Sequence, residues 1–229
     1  MRILAVVPAR GGSKRLPGKN IRALGGKPLI VWSIDVAAGV PGICAVMVST
    51  DDPAIADVCR QAGALVPWLR PAALATDTAG SVDVALHALD WYEAAHGAVD
   101  ALLLLQPTSP FRERATVQRG IAAFVASGAP VVGVSPCSEH PLWTFRLDDN
   151  ARLTPFVTGA AVTTRGQDLP PAYVLNGGFY LCSPAHLRAS RSFLGPATVP
   201  LVVESPREAL DIDTAWDWAL AEASLAQQP

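Results

Sequence analysis

Short, almost wholly apolar runs alternate along the chain with longer segments in which apolar residues recur at helical spacing. The apolar runs cover 3–7, 45–49, 101–105 and 130–134. Runs of that length without polar alternation predict strands buried on both faces, as in a parallel sheet. Helical patterns lie near 29–38, 54–62, 81–95 and 115–126, and again over 213–226, where Trp216 and Trp218 offer packing surface. Strand and helix in alternation predict an α/β fold, a doubly wound, mostly parallel sheet in three Rossmann-like layers.

The rhythm breaks from about 137 to 171 into short polar and aromatic pieces, with turn signals at Asp148-Asp149-Asn150 and Gly159. We expect a β-rich excursion inserted into a single domain spanning 1–229. Long irregular insertions tend to cover a site or contact a partner, and both roles are expected here. Asp52 and Pro53 read as N-cap and first residue of a helix. Ser81 either caps the helix that follows it or faces a ligand.

Formal net charge is −2, so no global positive field favours nucleic acid. No apolar run approaches the ~20 residues of a membrane helix, and a cytoplasmic protein is expected. Cys44, Cys59, Cys137 and Cys182 lack ligand spacing and read as buried free thiols, and the four dispersed histidines give no zinc pattern.

Charge is instead concentrated in one place. Ala9 to Asn20, directly after the first apolar run, holds Arg10, Lys14, Arg15 and Lys19 among Gly11, Gly12 and Gly18. Glycines let backbone amides approach a ligand, and four cations would hold a polyphosphate. It is not a P-loop, because five residues separate Gly12 from Gly18 and Asn20 follows the lysine. The dinucleotide fingerprint is also absent, and no helical pattern starts before about Pro28.

In doubly wound sheets ligands collect beyond the carboxyl ends of the strands, which singles out the loops there. Gln106-Pro-Thr-Ser-Pro-Phe-Arg112 follows one strand and offers Gln106, Thr108, Ser109 and Arg112. In Asp211-Ile-Asp213, two carboxylates two residues apart face one side of an extended segment while Ile212 faces the other. Such a pair suits Mg²⁺, although Asp213 could instead cap the last helix. Asn176-Gly177-Gly178-Phe179-Tyr180 permits close backbone approach, or marks a bulged strand entry.

Together these segments resemble the acylneuraminate cytidylyltransferases, the CMP-sialic acid synthetase family. The glycine loop, Arg70-Pro71…Leu74-Ala75…Asp77…Ser81, Gln106-Pro-Thr-Ser-Pro, Gln167-Asp-Leu-Pro170, Asn176-Gly177 and Asp211-Ile-Asp213-Thr recur in family order over nearly the whole chain. The resemblance implies transfer of CMP from CTP to the anomeric hydroxyl of a nine-carbon α-keto acid sugar, with release of pyrophosphate, for cell-surface polysaccharide synthesis. Arg10 and Lys19 would hold the triphosphate, with Gly12, Ser13 and Lys14 beside them. Asn20, Arg70 and Ser81 would surround ribose and base. Gln106, Arg165, Gln167, Tyr173, Asn176 and Tyr180 would face the sugar, and Asp211 and Asp213 would bind Mg²⁺. Arg10, Lys19 and Asp211 are the residues expected to be catalytic. A homodimer is implied, with the excursion reaching the neighbouring subunit's site.

Two departures touch the expected sugar pocket. Trp143 stands where a Lys commonly follows the His-Pro of the excursion, and Gly166 replaces the usual Arg before Gln-x-Leu-Pro, with Arg165 one residue earlier. They direct the expectation toward legionaminic or pseudaminic acid beside sialic acid. Activation of 3-deoxy-manno-octulosonate and a non-catalytic binding protein of the same fold are the alternatives, and the residues leave cytosine and guanine open.

Overall fold

A computed structural model of the chain describes residues 1–158 and 163–226, and the turn expected at Gly159 lies outside the described residues. Its centre is β1 (Ile3–Pro8), whose first five residues are fully buried because both faces of the strand are covered. Alternate side chains part to opposite sides. Ile3, Ala5 and Val7 join one core cluster with α1 (Leu29–Ala37), α2 (Pro53–Gln61) and α4 (Arg114–Ser127). Leu4 and Val6 join a second with α3 (Ser81–His96) and α5 (Pro184–Ser190).

The remaining strands of the sheet are β4 (Ile43–Ser49), β5 (Ala101–Leu104), β6 (Val131–Pro136), β9 (Tyr173–Cys182) and β10 (Val199–Val202), in the order β10-β6-β9-β5-β1-β4. All neighbours are parallel except β9, which runs antiparallel to both β5 and β6. A short hairpin, β2 (Ala23–Leu24) with β3 (Lys27–Pro28), precedes α1. The excursion carries a second, β7 (Phe145–Leu147) with β8 (Leu153–Pro155), among 3₁₀ turns. The chain passes from β1 out to β4 and returns to β5 on the other side of β1, so a topological switch point lies beyond the ends of β1 and β5.

A third core cluster fixes the site. Leu16 of the glycine loop, Leu24, Leu29, Phe111, Ile212 and Trp218 of α6 (Ala215–Ala226) pack together. This apolar contact locks the basic loop against the Asp-Ile-Asp segment. Trp218 is buried here, but Trp216 is 72% exposed. Helix α6 is capped by Thr214 and not by Asp213. Thr214 Oγ1 accepts from the Asp217 amide at 3.3 Å, and Asp217 Oδ2 accepts from the Thr214 amide at 2.7 Å. Both choices left to Ser81 and Asp213 therefore resolve away from capping, since the N-cap of α3 is Gly80.

Asp52 does cap α2, accepting from the Ala54 and Ile55 amides at 2.7 and 3.2 Å, with Pro53 first in the helix. The four cysteines are free, but Cys44 is exposed and Cys137 half-buried. Burial pushes the thiols of Cys59 and Cys182 up to about 12, which leaves them unreactive. Among the described residues no helix is long and apolar enough to cross a membrane.

Candidate active site

The loop after β1 is folded by its own polar groups. Asn20 Nδ2 donates to the Arg10 carbonyl at 3.0 Å, and the Gly11 amide donates to Asp51 Oδ1 at 3.1 Å. A Cβ at position 11 would lie 2.6 Å from Asp52 Oδ2, so a larger residue there would displace that carboxylate. Gly18, at φ +68°, opens the 3₁₀ turn Lys19–Ile21.

Its four cations divide into two pairs, each held by one carboxylate. Arg10 Nη1 meets Asp77 Oδ1 at 2.5 Å, and Lys14 meets the other oxygen of Asp77. These two contacts, Lys14 first, hold the Asp77 carboxyl below the usual range. Lys19, only 7% exposed, donates to Asp213 Oδ1 at 2.8 Å and to the Ile212 carbonyl at 2.7 Å, while Arg15 meets Asp213 Oδ2. An ammonium has three donors, so Lys19 keeps one for a ligand. A polyphosphate would compete with Asp77 and Asp213 for the same four cations.

Three cavities adjoin beyond the carboxyl ends of β1 and β5. One of about 370 Å³ lies against the glycine loop, where Arg10, Ser13, Lys14, Lys19, Asn20 and Asp213 line it. The next, about 330 Å³, shares Arg10 and Asp213 and adds Arg70, Asp77, Ser81, Gln106 and Asp211. The third, about 440 Å³, shares Gln106 and Asp211 and is closed by Ser135, Asn176, Gly177 and Tyr180. Gly12 is exposed and lines none of these cavities.

Arg70 is braced before any ligand arrives: Nε donates to Ser49 Oγ at 3.0 Å, and Nη2 donates to the Ser49 carbonyl. Burial brings its guanidinium down to about 10, still cationic at neutral pH. Burial also raises the Asp211 carboxyl above the usual range, offset in part by the Thr108 hydroxyl and increased by neighbouring Asp213. The Ile212 amide donates to the Thr108 carbonyl at 2.8 Å, pinning both carboxylates to the loop after β5. A partly desolvated carboxylate beside a second one fits Mg²⁺, which takes one or two carboxylates and completes its shell with phosphate oxygens and water. No cluster of three or more metal-ligating side chains occurs among the described residues, so any metal there would need ligands from a bound phosphate or water as well.

Other expected residues lie apart from the three cavities within one chain. Arg165 pairs with Asp168 at 3.0 Å on the surface of the excursion, and neither Arg165 nor Gln167 lines the three cavities. Tyr173 belongs to a separate cavity of about 430 Å³, with His140, Trp143 and Gly166. The sequence places these residues near Asn176, but within one chain Arg165 and Gln167 lie out on the excursion and Tyr173 stands at the start of β9. Asn176 is in the site, but its amide is committed to Ser135 Oγ and the Gly178 amide, both at 3.0 Å, and so holds the bulge in β9. Ser109 and Arg112 turn inward and are buried, so of that loop Gln106 and Thr108 face the cavities. Asp51 and Asp77 are the polar partners that sequence reasoning did not assign; Asp77 stands within a quoted motif, but its pairing with Arg10 crosses 67 positions.

The fold is that of a nucleotidyltransferase: over 99% of both chains it matches CMP:2-keto-3-deoxy-manno-octonic acid synthetase complexed with CTP, with a TM-score of 0.72 at 19% identity. The CMP-N,N'-diacetyllegionaminic acid synthase of Legionella pneumophila is 44% identical over 97% of this chain and 95% of its own length. The pseudaminic acid cytidylyltransferase of Campylobacter jejuni is 32% identical over 97% and 95%. The chain belongs to the cytidylyltransferase family, whose pattern matches residues 4–129.

Proposed function

We propose that the protein is an enzyme that transfers CMP from CTP to the anomeric hydroxyl of a nonulosonic acid, releasing pyrophosphate. One observation carries this reading: a cavity faced by four loop cations and a cavity faced by Gln106 and Tyr180 are joined through a middle cavity whose walls include both Asp211 and Asp213. Triphosphate in the first and sugar in the second would bring the attacking oxygen to the α-phosphorus at that junction.

In the reaction the anomeric oxygen bonds to the α-phosphorus, the bond from that phosphorus to the bridging oxygen of the β-phosphate breaks, and the hydroxyl proton is lost. An anionic sugar must approach a polyanion, so charge neutralisation and alignment dominate the catalysis. Arg10, Lys14, Arg15 and Lys19 would exchange Asp77 and Asp213 for phosphate oxygens. Arg70 and Ser81 would bound the nucleoside. Asp211 lines both the middle and the third cavity, so an oxygen of its carboxylate would be in reach of the departing proton. Asp211 and Asp213 would hold Mg²⁺, which when bound neutralises phosphate charge.

The sugar is a diacetamido nonulosonate of the legionaminate type. Supporting this, the 44% identical relative is named for that sugar. Trp143 also lies across Gly166, where a Cβ would stand 3.0 Å from the indole. The two departures from the sialic acid pattern are thus one feature, an indole seated where an arginine side chain would have been. The excursion exposes Phe145, Leu147, Leu153 and Phe156, an apolar face suited to a second copy of the chain. In that dimer Trp143 and Tyr173 would complete the neighbour's sugar cavity.

The test is pyrophosphate release with Mg²⁺ across CTP and GTP against diacetyllegionaminate, pseudaminate, N-acetylneuraminate and 3-deoxy-manno-octulosonate. CTP with diacetyllegionaminate should give the highest kcat/KM. A higher value with the eight-carbon sugar would overturn the substrate assignment, and no release from any pair would overturn the reaction.

A further inference from the structure

Strands β5 and β9 pair through Leu102–Cys182, Leu103–Leu181 and Leu104–Tyr180. Continued in the same register, the ladder would set Gln106 opposite Gly178, but it stops at Leu104. Arg112 occupies the place of the missing pair. Its Nη2 donates to the Gln106 carbonyl at 2.9 Å and its Nε to the Gly178 carbonyl, while Nη1 reaches Ser33 Oγ of α1 at 3.3 Å. One guanidinium thus joins two strand ends that no longer join each other.

This cation is 6% exposed and among the described residues no carboxylate pairs with it; Glu208 acts only at a distance. Burial brings it down to about 10, so it remains charged at neutral pH. A buried cation bonded to carbonyls is costly to desolvate, and the geometry indicates what it maintains. Beyond the fork, Gln106 and Gly177 face each other as walls of the third cavity, which Arg112 does not line. Gly177 sits at φ +71°, and a Cβ there would lie 2.6 Å from Gln106 Oε1, so the walls stand as close as a glycine allows.

We propose that Arg112 is a positioning residue that props the β5–β9 fork at the width the sugar requires, acting through the Gln106 and Gly178 carbonyls without touching substrate. The assignment of the third cavity to the sugar rests on the function proposed above. A planar fork spans two carbonyls, whereas a lysine ammonium is a point charge on a flexible stem.

The experiment compares Arg112→Lys and Arg112→Met with the unaltered enzyme. In Arg112→Lys, the sugar KM should rise on the order of 10-fold while the CTP KM stays within about twofold, because a misplaced wall affects only its own ligand. Arg112→Met should show a larger rise. Amide exchange of the ligand-free protein is read in parallel, and Gly177 to Phe179 should exchange faster in Arg112→Lys, with the glycine loop unchanged. Unchanged sugar KM, or sugar and CTP KM rising together, would overturn the proposal. If Arg112→Met fails to fold, the lysine variant decides. If the unaltered enzyme releases no pyrophosphate, the proposed function has failed separately, and the exchange pattern alone decides whether Arg112 props the fork.

Discussion

Replacing Lys19 by Met tests how the phosphate loop and the carboxylate pair are joined. The ammonium is 7% exposed and makes two bonds, at 2.7 Å to the Ile212 carbonyl and 2.8 Å to Asp213. Methionine keeps the stem's packing and removes both. The Ile212 carbonyl is then buried without a partner, which costs about 1–3 kcal/mol. Asp213 keeps Arg15, and its side chain is 34% exposed, so solvent screens that loss to about 1 kcal/mol. The sum is roughly 2–4 kcal/mol, or a fall in Tm of about 5–12 °C for a chain of this length. Thermal and urea unfolding of Lys19→Met, Asp213→Asn and the double variant would measure it, with a coupling of about 1 kcal/mol between the two sites. Only the part carried by the 34% exposed Asp213 side chain should shrink at high salt, while the cost of the unpartnered Ile212 carbonyl should not. In the pyrophosphate assay the same variant should raise the CTP KM and lower kcat. A destabilisation under about 0.5 kcal/mol would refute the view that Lys19 ties the two segments together.

Three further outcomes follow from the site's electrostatics and packing. Asp211→Asn should lower kcat by roughly 10²-fold, about 3 kcal/mol, in the pyrophosphate assay. The same change should leave the ligand-free protein slightly more stable at neutral pH. The raised carboxyl is disfavoured as an anion, so its destabilising contribution is absent below the ordinary carboxylate pKa and grows as pH rises through the raised value. A Tm at pH 7 below that of the unaltered protein would contradict that sign. Asp77→Asn frees Arg10 and Lys14 and should lower the nucleotide Kd several-fold by calorimetry; weaker binding would mean the loop needs Asp77 in place. Because that carboxyl is depressed, its ion pairs hold at neutral pH and are lost only as pH falls through the lowered value. Gly120→Ala would overlap the Phe179 ring and should destabilise by about 1–3 kcal/mol in urea, with an unchanged midpoint as the refuting result.

The strands at 3–7, 45–49, 101–105 and 130–134 were legible because a strand covered on both faces must be apolar throughout, and the structure matches them to within a few residues. Strand β9 was legible only as a bulged strand entry at Asn176-Gly177-Gly178, one of two readings of that segment. It begins Tyr-Val-Leu-Asn-Gly-Gly, half exposed and bulged, and resembles a core strand only after Phe179. The glycine loop and Asp211-Ile-Asp213 could be read because their spacing alone places charge on one side of the backbone. Which carboxylate holds which cation could not, since Asp77 and Asp213 reach the loop across 67 and more than 190 positions. Arg112 misled for a physical reason. An arginine in a proline-flanked turn reads as solvent-facing, and only the interrupted ladder explains its burial. Arg165 and Gln167 stand near Asn176 in sequence but lie at a 3₁₀ turn of the excursion, and Tyr173, at the start of β9, lines a separate cavity.

The position of β9 also sets an order of assembly during synthesis. Strands β4, β1 and β5 form one half of the sheet and β6 with β10 the other, and β9 alone pairs with both. When β6 leaves the ribosome neither of its neighbours has been made, since β9 and β10 are both later in the chain. The first half, with α1 to α3, can close early, whereas β6 waits for about forty residues with its edges unpaired. In that interval the nascent protein has neither a sugar cavity nor a locked phosphate loop, since Ile212, Asp213 and Trp218 are still to come, and its exposed strand edge is open to pairing with other chains.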